Sequence, residues 1–314
     1  MKTAQATTTR ARARRAGFRK WLPLFIMGLP GFIYLFINNY MPLYGLVIAF
    51  KKYNYSLGIS GSEWAGLSNF EYLFKTKDAW IITRNTLAYN LVFIALDAVL
   101  CVALAIFLNE VRKKTTKKLY QTVILLPYLM SMVVVSYLAY AFLGDRTGLI
   151  NSVLNAVGLE SIQFYATKSY WPFILTFVRM WRGIGYGTII YLSTLVGFGD
   201  TYYEAAELDG ATKWQQIRFI TLPLLKPTII MLTTLSMGNI FRSDFGLFYQ
   251  VPRNQGLLYA ATDTIDTYVF RSLLQNGNIG LSSAAAFYQS IVCFITILLF
   301  NWLIRRVSKE NALF

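Results

Sequence analysis

Glu204-Ala205-Ala206-Glu207-Leu208-Asp209-Gly210-Ala211, followed by Ile220-Thr221-Leu222-Pro223 and Pro227, interrupts a chain otherwise dominated by long apolar runs. Its local grammar is helix, bend, helix. Thr201 and Glu204 have the spacing of a capping box, in which hydroxyl and carboxylate satisfy the free amides of a helix start. Gly210 can take the left-handed conformation that ends such a helix after about two turns. Thr212 and Gln215 repeat the box for a second short helix, and Pro223 and Pro227 oppose its continuation until the next apolar run. Ala205 and Ala206 leave a face without bulk, while Glu204 and Glu207 are neighbours on the helix surface. A small, stiff, acid-tipped helix of this kind suits recognition in a partner's groove. The plain alternative is a solvated amphipathic hairpin between two apolar segments; the coincidence of glycine, paired caps and prolines favours the docking element.

The chain has 314 residues, of which 55% are hydrophobic and 14% charged, with a mean hydropathy of +0.44. One soluble core could not hide that much apolar surface, so a polytopic membrane protein is expected. Six stretches, near 22–48, 86–108, 120–143, 172–196, 227–249 and 283–304, have the roughly 20 apolar residues that a bilayer crossing requires. The first lacks a small-residue cleavage site and is too long for a signal peptide, so it is expected to be retained. The domain plan is a basic tail, 1–20, and a single transmembrane domain, 21–314, whose polar hairpin occupies 197–226.

The net charge of +15 does not point to nucleic acid, because much of the excess flanks apolar spans. The amino-terminal tail, the Arg112 to Lys118 turn, the hairpin and the carboxyl tail carry eighteen Lys and Arg, against nine in the longer opposite connections. Positive charge marks the cytoplasmic side, so both termini and the hairpin between spans four and five are expected there. Only Cys101 and Cys293 occur, both in apolar runs, and read as small buried hydrophobes. There is no histidine, which excludes histidine-bearing zinc sites and Ser/His or Cys/His nucleophile pairs. There is also no glycine-rich phosphate loop ending in Gly-Lys-Ser/Thr, so no enzymatic activity, metal or cofactor is expected on this chain, and any ATP is hydrolysed by a partner.

The hairpin resembles the cytoplasmic loop by which permease subunits of ATP-binding-cassette importers grip their ATPase. Glu204, Ala205, Ala206, Asp209, Gly210, Ala211, Ile220, Leu222 and Pro223 fall on that pattern, and the chain departs from it at Ile217, where the family has a phenylalanine; Phe219 lies two residues on. Trp64, Gly66, Leu67, Asn69 and Phe70 match a pattern associated with sugar-importer permeases, and equally an aromatic cluster anchoring a loop at headgroup depth. The resemblance implies an all-α, type I permease fold of the oligosaccharide and lipoprotein-like group, in the cytoplasmic membrane of a prokaryote. It further implies a second permease chain, two ATP-binding subunits that hold ATP and Mg, and an extracytoplasmic solute-binding protein as partners.

Five charges fall inside expected spans: Asp97 in the second, Arg179 and Arg182 in the fourth, Arg242 and Asp244 in the fifth. Each costs about 2.5–3.5 kcal/mol at a helix centre, so they should face the bundle interior or a watery path. In one arrangement Asp97 pairs with Arg179 or Arg182, and Asp244 with Arg242, fixing helix packing. In the other, the arginines line a solute path with Asn90, Tyr186, Asn239 and Tyr249. Three arginines against two acids leave one positive charge unmatched, which points to an acidic, uronate-containing oligosaccharide. The alternative from another class is a secondary transporter driven by an ion gradient, with Asp97 as a proton or sodium site.

Overall fold

The computed structural model describes residues 21–199 and 201–307, and these are mostly helical. The basic tail, 1–20, lies outside the described residues. The chain divides into two compact units, Met1–Gly66 and Leu67–Phe314. In the first, Trp21–Phe50 is one helical run that begins as α1 (21–35) and passes through a wide turn at Phe36–Tyr40. From Trp21 to Tyr44 its large side chains are exposed, Met27 at 78% and Phe32 at 65%, and from Leu46 to Phe50 they are half-buried. A two-residue ribbon follows, β1 (Lys51–Lys52) antiparallel to β2 (Glu63–Trp64), spanning α2 (Gly58–Gly61). Phe50 and Trp64 stack across it at 5.9 Å.

The second unit opens with α3 (Ser68–Lys75) and α4 (Asp78–Glu110), then α5 (Lys114–Leu129), α6 (Met132–Leu143), α7 (Leu149–Ala156) and α8 (Trp171–Val196). The hairpin contributes α9 (Thr201–Leu208) and α10 (Lys213–Gln216), and α11 (Leu222–Gly238) leads on to α12 (Phe245–Gln250), α13 (Tyr259–Thr262), α14 (Ile265–Leu274) and α15 (Ile279–Val307). Among the described residues four helical runs are long and apolar enough to cross a membrane: Trp21–Phe50, Asp78–Glu110, Lys213–Gly238 and Ile279–Arg306. The pair α5 and α6, bent by 95°, makes a fifth if counted as one span. The 26-residue α8 carries Arg179 and Arg182 and falls outside that group on composition.

Two expected spans differ in form. The third, expected as one helix over 120–143, is broken after Pro127: Met130 and Ser131 are extended, and the Ser131 hydroxyl caps α6 by accepting from the Val134 N–H at 3.4 Å. The fifth begins earlier and ends sooner than 227–249. Helix continues from Lys213 to Gly238 despite Pro223 and Pro227, because the Ile217–Thr221 segment is a wide turn closed by a Leu222 N–H to Ile217 carbonyl bond. That turn places Pro223 in the first turn of α11, where a missing N–H costs little. The chain then unwinds over 239–244 before α12.

Small residues hold the helices close. A Cβ on Gly185 of α8 would collide with the Ile124 backbone of α5, and one on Gly187 with the Cys101 sulfur of α4. Three apolar clusters fill the bundle: Tyr89, Trp171 and Leu175 with Phe248 at one end, Leu73, Ile82, Ile265 and Ala285 beside α15, and Cys101, Leu108, Leu192 and Leu225 at the hairpin end. Connections are tied by buried polar groups. Asn151 donates to the Ile162 carbonyl and accepts from its N–H, each at 2.8 Å. Asp263 and Arg271 form a buried ion pair. In the Trp64–Phe70 motif, Phe70 meets Phe287 of α15 edge-on and the Asn69 amide lies where Gly280 has no side chain.

Candidate functional site: a docking hairpin and a charged cavity

The hairpin is built by local chemistry. Gly210 has φ +76°, its N–H bonds to the Glu207 carbonyl at 3.1 Å, and the Ala211 N–H reaches back to Ala206 at 2.9 Å. Those two bonds are a Schellman motif, which satisfies the last carbonyls of α9. The second capping box is present: the Gln215 N–H donates to the Thr212 hydroxyl and the Thr212 N–H to the Gln215 side chain at 2.7 Å. The first is not, because Thr201 is already the first helical residue of α9. The cap position falls on residue 200, outside the described residues.

Lys213 braces the turn. Its ammonium lies 2.9 Å from Glu207 and 3.9 Å from Glu110 at the end of α4. The bond from Lys213, and then its charge, hold the Glu207 carboxyl below its ordinary range. On the second arm the Tyr203 hydroxyl meets that of Thr221 at 3.1 Å. Glu204, Ala205, Asp209, Gly210, Leu222 and Pro223 are exposed, with Ala206, Ala211 and Ile220 half-buried. Sequence reasoning passed over the apolar residues beside them. Leu208 is 90% exposed, and Tyr202, Trp214 and Phe219 are also exposed. The signal was available: a leucine and a tryptophan in a polar run have no solvation reason to be there.

Four of the five charges expected inside spans form two cross-element pairs. Arg179 of α8 donates to Asp97 of α4 at 3.2 Å and lies over the Phe93 ring. Arg182, one turn on, reaches Asp244 at 3.9 Å, donates to the Met130 carbonyl at 3.4 Å and sits over the Tyr128 ring. The expected Arg242 to Asp244 pair is therefore not formed. Asp244 turns into the N-cap of α12, accepting from the Leu247 N–H at 3.1 Å, while Arg242 lies in the unwound turn with its N–H on the Asn239 carbonyl. Among the described residues no carboxylate oxygen lies within 4 Å of Arg242.

A cavity of about 480 Å³ opens between α4, α8 and α11, lined among others by Asp97, Arg179, Tyr186, Ser236 and Asn239. Tyr128 and Tyr186 stack there at 4.8 Å, with planes 11° apart. Four residues expected on the path, Arg182, Arg242, Asn90 and Tyr249, do not line this cavity. Asn90 donates to the carbonyls of Ile240 and Arg242, securing the break after α11, and Tyr249 stacks on Phe245. Cys101, expected only as a small buried hydrophobe, and Gly183, which carried no expectation, also line the cavity. Gly183 leaves room for the Arg179 guanidinium, which a Cβ there would strike.

The comparisons with known proteins agree with this architecture. A family model for the inner membrane component of binding-protein-dependent transport systems matches residues 101–309. The polygalacturonan/rhamnogalacturonan transport system permease protein YteP of Bacillus subtilis is 35% identical, over 92% of this chain and 89% of its own. Protein LplB of the same organism is 33% identical, over 93% and 91%. Among solved structures, a bacterial ABC transporter that imports the acidic polysaccharide alginate superposes with TM-score 0.85 at 30% identity, covering 94% of this chain and 99% of that one. A docking hairpin, a helical membrane bundle and these matches lead to one conclusion: the chain belongs to the family of binding-protein-dependent inner membrane transport components, as a permease of the sugar-importing ABC class and not an enzyme.

Proposed function

We propose that this chain is a six-span permease subunit, with both termini and the 197–226 hairpin in the cytoplasm, of an ATP-driven importer of acidic, uronate-containing oligosaccharides. A second permease chain and two ATPase subunits holding ATP and Mg complete it, and an extracytoplasmic binding protein delivers the solute. The observation that carries the ATPase coupling is the hairpin: a rigid bent helix pair that keeps Leu208 at 90% exposure has built a surface for another protein. Rotation of the docked partner tilts α8 and α11, between which the hairpin is strung, and so opens or closes the cavity on which they border.

The acidic substrate is supported by Arg242, left over when Asp97 and Asp244 are matched to Arg179 and Arg182. It is supported also by two similar proteins: YteP is a polygalacturonan/rhamnogalacturonan transport system permease, and the structural neighbour is involved in the import of alginate. A related structure of the alginate transporter, in complex with a pentasaccharide-bound periplasmic protein, matches with TM-score 0.84 and supports the delivery route. An ion-gradient carrier would need Asp97 open to a cation, whereas Arg179 already occupies it. Uptake by sealed vesicles tests the reading. Import of oligogalacturonate that requires internal ATP and is outcompeted poorly by neutral oligosaccharides is expected; equal competition by neutral sugars removes the acidic assignment, and uptake without any ATPase subunit removes the importer.

A further inference from the structure

A second cavity, of about 500 Å³, lies between α4 and the start of α8, at the end of both helices remote from the hairpin. Its lining joins the cations Arg84 and Lys168 to the apolar Ala88, Val92 and Pro172. Among the described residues no carboxylate oxygen lies within 4 Å of Arg84 or Lys168, in contrast to Arg179 and Arg182. The Arg84 guanidinium is held in place by neutral acceptors only, the Asn85 side chain and the Ala260 carbonyl, both at 2.9 Å. The first turn of the 26-residue α8, with Pro172 near its start, adds the partial positive charge of a helix N-terminus.

From Ala88 onward the exposed face of α4 beside the cavity is apolar. Arg84, Ala88, Val92, Ala95 and Val99 are spaced as one stripe along α4 and all are exposed. The stripe runs about 22 Å along the helix at 1.5 Å per residue, comparable to an extended acyl chain crossing much of one leaflet. A saccharide needs hydroxyl partners along its length, and the stripe from Ala88 to Val99 offers none, the cavity's hydroxyls being those of Tyr89, Ser169 and Thr176.

We infer that this cavity is a binding site for an anionic phospholipid: its phosphate sits between Arg84 and Lys168, and one acyl chain lies along the Ala88–Val99 stripe. The lipid screens two cations at headgroup depth and covers a face of α4, on the opposite side of that helix from the Asp97 cavity. By this means lipid charge bears on the α4 to α8 contact that frames the solute path.

The test uses the full-length chain in nanodiscs of phosphatidylcholine containing a tracer of photoactivatable phosphatidylglycerol or, separately, photoactivatable phosphatidylcholine. Two surface cations acting together are expected to favour the anionic probe by about 10- to 30-fold, with label mapping to the peptide that holds residues 88–99. Arg84→Gln with Lys168→Gln should bring labelling down to the phosphatidylcholine level. Lys168→Gln alone breaks no contact described above, and should lose roughly the square root of that preference. Equal labelling by the two probes, or labelling unchanged in the double variant, overturns the site. Protection of the cavity by oligogalacturonate, or loss of label only when a second permease chain is present, overturns it in favour of a solute vestibule or a subunit interface.

Discussion

The hairpin after α8 and the cavity between α4, α8 and α11 place side chains against their usual preference in opposite senses. The hairpin holds Leu208, Trp214 and Phe219 out in water, while the cavity holds Asp97 and Arg179 among helices. Each arrangement is costly alone and makes sense only with what it meets. Exposed apolar residues on a rigid turn gain by covering, and charges inside a bundle gain by pairing. On the proposed reading the hairpin is completed by another protein, whereas the charge pairs are complete within the chain, and that of Asp97 with Arg179 also borders the cavity.

The comparison breaks most easily at Leu208. Leu208→Asp should weaken association with the ATPase subunit by about 30-fold or more, the loss typical of a central buried anchor, while membrane insertion stays unchanged. Co-purification of the complex from detergent reads it. On the cavity side, Asp97→Asn leaves the Arg179 guanidinium without its carboxylate and should cost about 1–3 kcal/mol, read as thermal unfolding of the purified chain. Asp244→Asn keeps a good N-cap for α12 and loses only a 3.9 Å pair, so at most about 1 kcal/mol is expected. If the two variants are equally destabilised, the distinction between a tight and a loose pair is wrong.

A smaller effect sharpens the hairpin. Thr212→Ala removes the acceptor for the Gln215 amide and should cost about 1 kcal/mol, seen as faster hydrogen exchange at residues 213–216 with no change in the α8 core. The smallest effect concerns pH. Because Lys213 lowers the Glu207 pKa in the folded chain, the brace is fully present above the ordinary value of 4.5 and is lost as pH falls through the lowered one. Lys213→Ala should return the Glu207 titration toward 4.5, measured by carboxyl-carbon NMR.

Legibility in the sequence followed the range of the forces. Gly210 and the Thr212/Gln215 box act within six residues, so their conformation could be read from the chain alone. Thr201 shows the limit of that reading, since a helix that starts one residue earlier turns a cap into a helical position. Pro223 and Pro227 were read as stops, but a wide turn at Ile217–Thr221 re-phases the backbone, a geometric adjustment that composition does not display. The break at Met130 was hidden for the same reason, inside a stretch apolar enough to be one helix. Charge pairing was the least legible. Arg242 and Asp244 are close in sequence and form no ion pair, while Arg182 reaches Asp244 across 62 positions because an unwound turn points the aspartate toward α8.

The most direct measurement is a disulfide-independent photocrosslink from Ala205→Cys, modified with a short bifunctional reagent in cells whose Cys101 and Cys293 have been replaced. Capture of a nucleotide-binding polypeptide from that position, and none from a cysteine placed at Tyr128 in the cavity, is the expected result. A chain that inserts fully yet never captures such a polypeptide from Ala205 contradicts the account.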